Sequence, residues 1–145
     1  MQRSENFFAH LGMKNTQGRN HLLDVLEKTE IPLTAEDIYL KLKEKSIEIN
    51  LSTVYRILDL FVAKGIVSKS TSSISNKSQF ELAKKEHSHH LVCIQCKKTL
   101  TLAGCPLKCY EKKLKNKTQY DITGHKLEIF GYCPDCKFFA NKQEE

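Results

Sequence analysis

Two Cys-x-x-Cys pairs hold the most specific chemistry in this chain: Cys93/Cys96 and Cys133/Cys136, with 36 residues between them. A pair at this spacing can turn both sulfurs toward one centre. Zn²⁺ favours a tetrahedron of such thiolates at about 2.3 Å. One pair alone is weak evidence, because thioredoxin-like redox turns share the spacing. Two pairs point to a structural zinc ion, against the alternatives of disulfides or a free redox pair. A closed four-sulfur set leaves no position for substrate, so the ion is expected to be structural and not catalytic.

A second group of metal-ligating residues lies beside the first pair. His87, His89 and His90 precede Cys93, with Ser88 between the first two. On a strand His87 and His89 share one face and His90 points the other way. With His125 and Cys105 they could form a three-histidine, one-cysteine tetrahedron, whose thiolate biases the site toward zinc over harder metals. The alternative is that these histidines only hydrogen-bond or face solvent, and that Cys105 is a buried free thiol. A zinc hydrolase or deaminase would need a His-x-Glu or His-Glu-x-x-His motif beside an open metal position. Neither motif occurs.

These residues need elements to position them. Gln17–Lys28 reads as a helix with Leu22, Leu23, Val25 and Leu26 inward, and Pro32 interrupts any continuation. Thr34 is a good N-cap with Asp37 three residues on. The helix behind it carries Ala35, Ile38, Tyr39 and Leu42 at one-face spacing. A third helix over 51–64 puts Leu51, Val54, Ile57, Leu58, Phe61 and Val62 on one face and Ser52, Tyr55, Arg56 and Asp59 on the other. Gly65 suits the position just past its end. Strands at Ile66–Lys69 and Gln79–Leu82 flank a polar turn. Three helices and a two-stranded wing make a winged helix-turn-helix.

Residues 84–86 read as a hinge. The segment after it predicts strands at His90–Ile94 and Thr99–Leu102, a helix from Pro106 to Lys117, and strands at Tyr120–Thr123 and Lys126–Phe130. The fold class is α+β: a winged-helix domain over 1–83, then a small α/β metal-binding dimerisation domain over 87–145 with the four-cysteine zinc site. Hydrophobic content of 40% gives each half only a thin core, and small domains of this kind recruit metals. No apolar run is long enough to span a membrane, and the N-terminus lacks the apolar stretch of a signal peptide. The expected location is the cytoplasm, where thiols stay reduced.

Net charge is +6. Residues 1–83 hold 11 Lys+Arg against 10 Asp+Glu, whereas residues 84–145 hold 12 against 7. The excess lies in the cysteine-rich half. Global charge is therefore poor evidence for nucleic-acid binding, and individual residues must carry that case.

Thr34-Ala-Glu-Asp-Ile-Tyr39, Ser52-Thr-Val-Tyr-Arg56, His89-His-Leu-Val-Cys93-x-x-Cys96 and Cys133-x-x-Cys136 together resemble the ferric uptake regulator family over roughly residues 10–137. Gly104-Cys-Pro-Leu107 and Thr123-Gly-His-Lys-Leu-Glu-Ile-Phe-Gly131 are most similar to the zinc uptake regulators within it. The resemblance implies a homodimeric, metal-dependent repressor of a palindromic, AT-rich DNA operator. His87, His89 and His125 then fall on regulatory metal ligands, for Zn²⁺ or alternatively Fe²⁺. The family's second regulatory site is reduced here to Glu81 and His90. Pro32 or one of its neighbours, none of them histidine, stands at one of its histidine positions, Ser88 at another, and Thr101 at an acidic one. Lys108 replaces a carboxylate of the first site, with Cys105 as the candidate substitute. A peroxide sensor needs the missing hinge histidine and an aspartate, and is disfavoured.

On this reading the third helix enters the major groove. The hydroxyls of Ser52 and Thr53 and the first backbone N–H groups suit phosphates. Tyr55 suits thymine methyl groups, and Arg56 a phosphate or guanine. Lys14 and Arg19 would contact the DNA backbone.

Overall fold

The computed structural model describes residues 6–83 and 88–140 and divides into two compact units, Met1–Ala83 and Lys84–Glu145. The expected hinge at 84–86 and the candidate ligand His87 lie outside the described residues.

The first unit runs α1 (Phe7–His10), α2 (Gln17–Glu27), α3 (Ala35–Glu44), α4 (Leu51–Ala63), β1 (Val67–Thr71) and β2 (Ser78–Leu82). Helix ends are set by local chemistry. Thr16 caps α2 through Arg19 N–H, and Thr34 and Asp37 form a reciprocal capping box on α3. Gly65 follows α4 at φ +74°, a left-handed conformation that glycine adopts without a Cβ clash. Asn76 supplies another left-handed residue, at φ 57°, in the turn between β1 and β2. The strands pair antiparallel from Val67↔Leu82 to Thr71↔Ser78, and Leu33 adds a bridge to Phe80.

The apolar stripes meet inside this unit. Leu22, Leu23, Ile38, Leu42, Val54, Leu58 and Phe61 are all at most 2% exposed. Short α1, absent from the sequence expectation, adds Phe8 to this core, stacked on Phe61 at 6.0 Å between centroids. Its four residues are too few to show a period. Leu58→Ala is expected to destabilise the unit by about 2–5 kcal/mol. The check is a lower urea midpoint with an unchanged zinc content.

The second unit contains β3 (His89–Cys93), β4 (Thr99–Leu102), α5 (Lys108–Thr118), β5 (Glu128–Gly131) and α6 (Pro134–Ala140). β3 is central, antiparallel to β4 and parallel to β5. Two sequence expectations change. Helix α5 starts at Lys108, so Pro106 lies in the turn before it and is not a helical residue. Tyr120–Thr123 is no strand: Gln119 ends α5 in a left-handed conformation, and the segment pairs with no strand of the β4-β3-β5 sheet. Its alternation was only local, and Tyr120 is exposed.

The two units differ sharply in burial. Every buried residue described in the second unit is a potential metal ligand: His89, Cys93 and Cys136. No side chain of α5 is buried. This unit has no aliphatic core of its own among the described residues. Its cohesion must come from sheet hydrogen bonds, metal and whatever covers its apolar surface.

Candidate metal centre

The four-cysteine cluster is assembled by two turns at one end of the sheet. Strand β3 delivers Cys93. The chain then reverses through Lys97, at φ 67°, with Lys97 N–H bonded to the Cys93 carbonyl. This turn brings back Cys96. Strand β5 ends at Gly131, Cys133 follows, and Cys136 sits in the first turn of α6. All four sulfurs lie within 4.8 Å of one another. The Cys96 and Cys133 sulfurs are 3.7 Å apart, against the ~3.8 Å that tetrahedral Zn–S bonds of about 2.3 Å impose.

The acid–base balance of these thiols suits a cation. The Cys133 backbone N–H, 3.4 Å from the Cys93 sulfur, leads the causes that lower the Cys93 thiol to about 6. Hydrogen bonding to Cys133, then burial, pushes Cys136 up to about 12. The crowded sulfurs cannot all be thiolates unless a cation neutralises them. The donor set fits Zn²⁺.

A second cluster forms on the other part of the sheet. β3 carries His89, which is 4% exposed. Cys105 lies in the connection before α5, and His125 in the connection before β5. Cys105 Sγ is 3.3 Å from both His89 Nε2 and His125 Nε2, and the two Nε2 atoms are 3.0 Å apart. Zinc–nitrogen bonds of about 2.0–2.1 Å with a 2.3 Å sulfur bond would need ~3.6 and ~3.3 Å. A shift of a few tenths of an ångström admits the ion. The outer nitrogens are engaged: His89 Nδ1 meets the Leu127 carbonyl at 3.2 Å, and His125 Nδ1 meets the Glu111 carboxylate. Both rings therefore present Nε2 inward.

The remaining candidates fall elsewhere. His90 points to the opposite sheet face, where Nδ1 is 3.5 Å from Thr101 Oγ1. Glu81 lies on β2 of the first unit. Cys109 is exposed and outside both clusters. Glu111 was missed by sequence reading. Its only signal is a carboxylate one helical turn after Lys108, where the family pattern has its acid.

On the first unit, the exposed face of α4 carries Ser52, Tyr55, Arg56 and Asp59. Asn50, also missed, caps this helix, and its Oδ1 accepts from Thr53 N–H, Thr53 Oγ1 and Ser52 Oγ at 2.7–2.8 Å. Both hydroxyl protons are thereby committed, and donation to a phosphate requires exchange with this cap. Tyr55 donates its hydroxyl to Glu36 Oε1 at 2.8 Å, which holds Glu36 below and Tyr55 above their ordinary pKa values. Arg19 donates to the Lys14 carbonyl at 2.6 Å. An open groove of about 990 Å³ is lined by Arg19, Lys43, Thr53 and Arg56 among others.

A winged helix carried on one chain with two clusters of metal-ligating side chains defines a metal-responsive transcription regulator. The match to the ferric uptake regulator family spans residues 10–130, and the chain belongs to that family. Its members are metal-dependent regulators of transcription and not enzymes. The Neisseria gonorrhoeae ferric uptake regulation protein is 34% identical over 127 residues, covering 87% of this chain and 88% of that protein. The Vibrio cholerae ferric uptake regulator superposes with a TM-score of 0.77 at 33% identity, covering 89% of this chain and 98% of that one. The Helicobacter pylori regulator Fur, described as having three functional metal binding sites, gives 0.76 at 27% identity, covering 90% and 86%. No helix among the described residues is long and apolar enough to cross a membrane.

Proposed function

We propose that this chain is a cytoplasmic, zinc-responsive repressor of the zinc uptake regulator branch, acting as a homodimer on a palindromic operator. The observation that carries the reading is the His89–Cys105–His125 cluster. Reading Cys105 as a ligand adds a thiolate to the regulatory set, which supports Zn²⁺ over Fe²⁺. His87 is the natural fourth ligand, and Cys93, Cys96, Cys133 and Cys136 hold a separate structural zinc. When bound, the regulatory ion supplies a cross-link between β3, the Cys105 connection and the segment before β5. Residues 1–83 serve as the DNA-binding domain, 84–86 as hinge and 87–145 as dimerisation domain. Exposed apolar side chains support the last role: Leu100 is 56% exposed, Tyr110 56% and Ile129 44%.

In this reading α4 lies in the major groove, with Tyr55 and Arg56 toward the bases and Lys14, Arg19, Ser52 and Thr53 along the backbone. Arg56→Ala is expected to weaken operator binding by about 1–3 kcal/mol, roughly 5- to 150-fold. Anisotropy titration at fixed salt measures this, and unchanged affinity removes Arg56 from the interface.

The functional test combines metal analysis with operator binding titrated against free Zn²⁺ and Fe²⁺. Two zinc ions per chain and activation by Zn²⁺ at lower free concentration are expected. A third ion per chain would require a further site beyond these two. Preferential activation by Fe²⁺ would turn the assignment to an iron regulator, the reading the relatives' names favour.

A further inference from the structure

We propose that Glu111 is the positioning residue of the His89–Cys105–His125 centre: it holds the His125 ring with Nε2 toward the ion and supplies the second negative charge that balances a divalent cation. This rests on reading the centre as a metal site. The geometry carries the orientation part. A neutral imidazole has one N–H, and a nitrogen facing a carboxylate must be the one that bears it. Glu111 Oε1 faces His125 Nδ1, so the Nε2 lone pair is left pointing at Cys105 and His89. An oxygen bound at Nδ1 sits across the ring from Nε2, out of bonding range of an ion held there. Glu111 is therefore placed to orient a ligand, not to be one.

The charge part follows from comparing the two rings. His89 donates to the Leu127 carbonyl, which is neutral, whereas His125 donates to a carboxylate. The Cys105 thiolate contributes one negative charge to the cluster. With Zn²⁺ and two neutral imidazoles the site would carry +1 where His89 is 4% exposed and the His125 side chain 14%. An uncompensated charge so placed is unfavourable. The Glu111 side chain, 28% exposed, brings the total to zero. A carboxylate behind a ligating imidazole also raises its basicity and strengthens its bond to the metal.

Two variants of the full-length dimer, with its structural zinc retained, separate orientation from charge. In Glu111→Gln the amide oxygen still accepts from Nδ1–H but the charge is gone; in Glu111→Ala both are lost. Competition with a chelator should show the exchangeable zinc weakened by about 10-fold in the first and by up to about 100-fold in the second. A readout without that ion is the ¹⁵N spectrum of His125 in protein stripped only of exchangeable metal, taken above the imidazole titration range. Wild type and Glu111→Gln should hold the Nδ1–H tautomer, and Glu111→Ala should shift toward Nε2–H. Wild-type zinc affinity in both variants would overturn the proposal. So would a Glu111→Gln as damaging as Glu111→Ala with one ligand lost from the Co²⁺ absorption spectrum, because Glu111 would then be a ligand. If wild type binds no exchangeable ion and Cys105→Ser changes nothing, the metal-site reading itself fails, and the tautomer measurement still decides whether Glu111 orients His125.

Discussion

Cys136→Ser should abolish zinc at the four-cysteine cluster and unfold the second unit while leaving the first folded. Cys136 is 9% exposed and shares the cluster with Cys93, Cys96 and Cys133. A serine hydroxyl is a poor zinc ligand at neutral pH, so the substitution opens the tetrahedron. Structural zinc contributes on the order of 10–16 kcal/mol to small domains that fold around it, as much as the whole stability of an ordinary domain. The second unit has little to set against that loss, since its buried described residues are the candidate ligands themselves. The first unit keeps its own core of Leu22, Ile38, Leu58 and Phe61. The measurement is zinc per chain alongside hydrogen exchange resolved by peptide. Residues 89–131 should lose protection and residues 17–63 should keep it. A variant that binds no zinc yet retains protection across β3 and β5 would show that the sheet stands without the metal.

That asymmetry explains what was legible in the sequence. The winged helix was readable because its helices bury one face each. Val54, Ile57, Leu58 and Phe61 recur at helical spacing, and they are the residues found inside. Caps at Thr34 and Gly65 are local events encoded within a few residues. The second unit has no such periodic burial. Leu107, Tyr110 and Leu114 recur at helical spacing, yet Tyr110 is 56% exposed and nothing on α5 is buried. A pattern that needs a partner surface cannot be placed from one chain.

The candidate metal ligands were legible for a different reason. Cysteine and histidine are sparse, and their chemistry is narrow enough that spacing alone nominates them. Cys105 was the least obvious candidate, and its sulfur lies 3.3 Å from each of the two Nε2 atoms. The residues behind the ligands were not legible. Glu111 is a common surface residue on a lysine-rich helix, and its role depends on a contact with His125 fourteen residues away. Leu127 acts through its backbone carbonyl, which no side-chain pattern reports. Asn50 and Glu36 were missed alike, because each matters through what it holds still on α4.

Cys105→Ser is expected to remove metal control of DNA binding without removing the structural zinc. The thiolate is the sole anionic atom among the three clustered donors, and it bridges two histidines that β3 and the segment before β5 bring in separately. Without it the proposed set keeps only neutral imidazoles, those of His87, His89 and His125, and loses the soft, anionic donor that favours zinc. Metal acts on affinity only through its preference for one conformation over another. If the loaded form favours the DNA-competent arrangement by about 2–3 kcal/mol, operator affinity should fall by about 30- to 150-fold when the ion cannot bind. Titrating labelled operator at buffered free Zn²⁺ gives the number. The variant at high zinc should match wild type stripped of exchangeable metal, with one zinc per chain in both. Fe²⁺ provides the discriminating arm, because loss of a soft ligand penalises Zn²⁺ more than Fe²⁺. A variant that still responds to Zn²⁺ like wild type would place the sensing elsewhere. Equal loss for both ions would leave Cys105 a ligand but withdraw its part in selecting zinc.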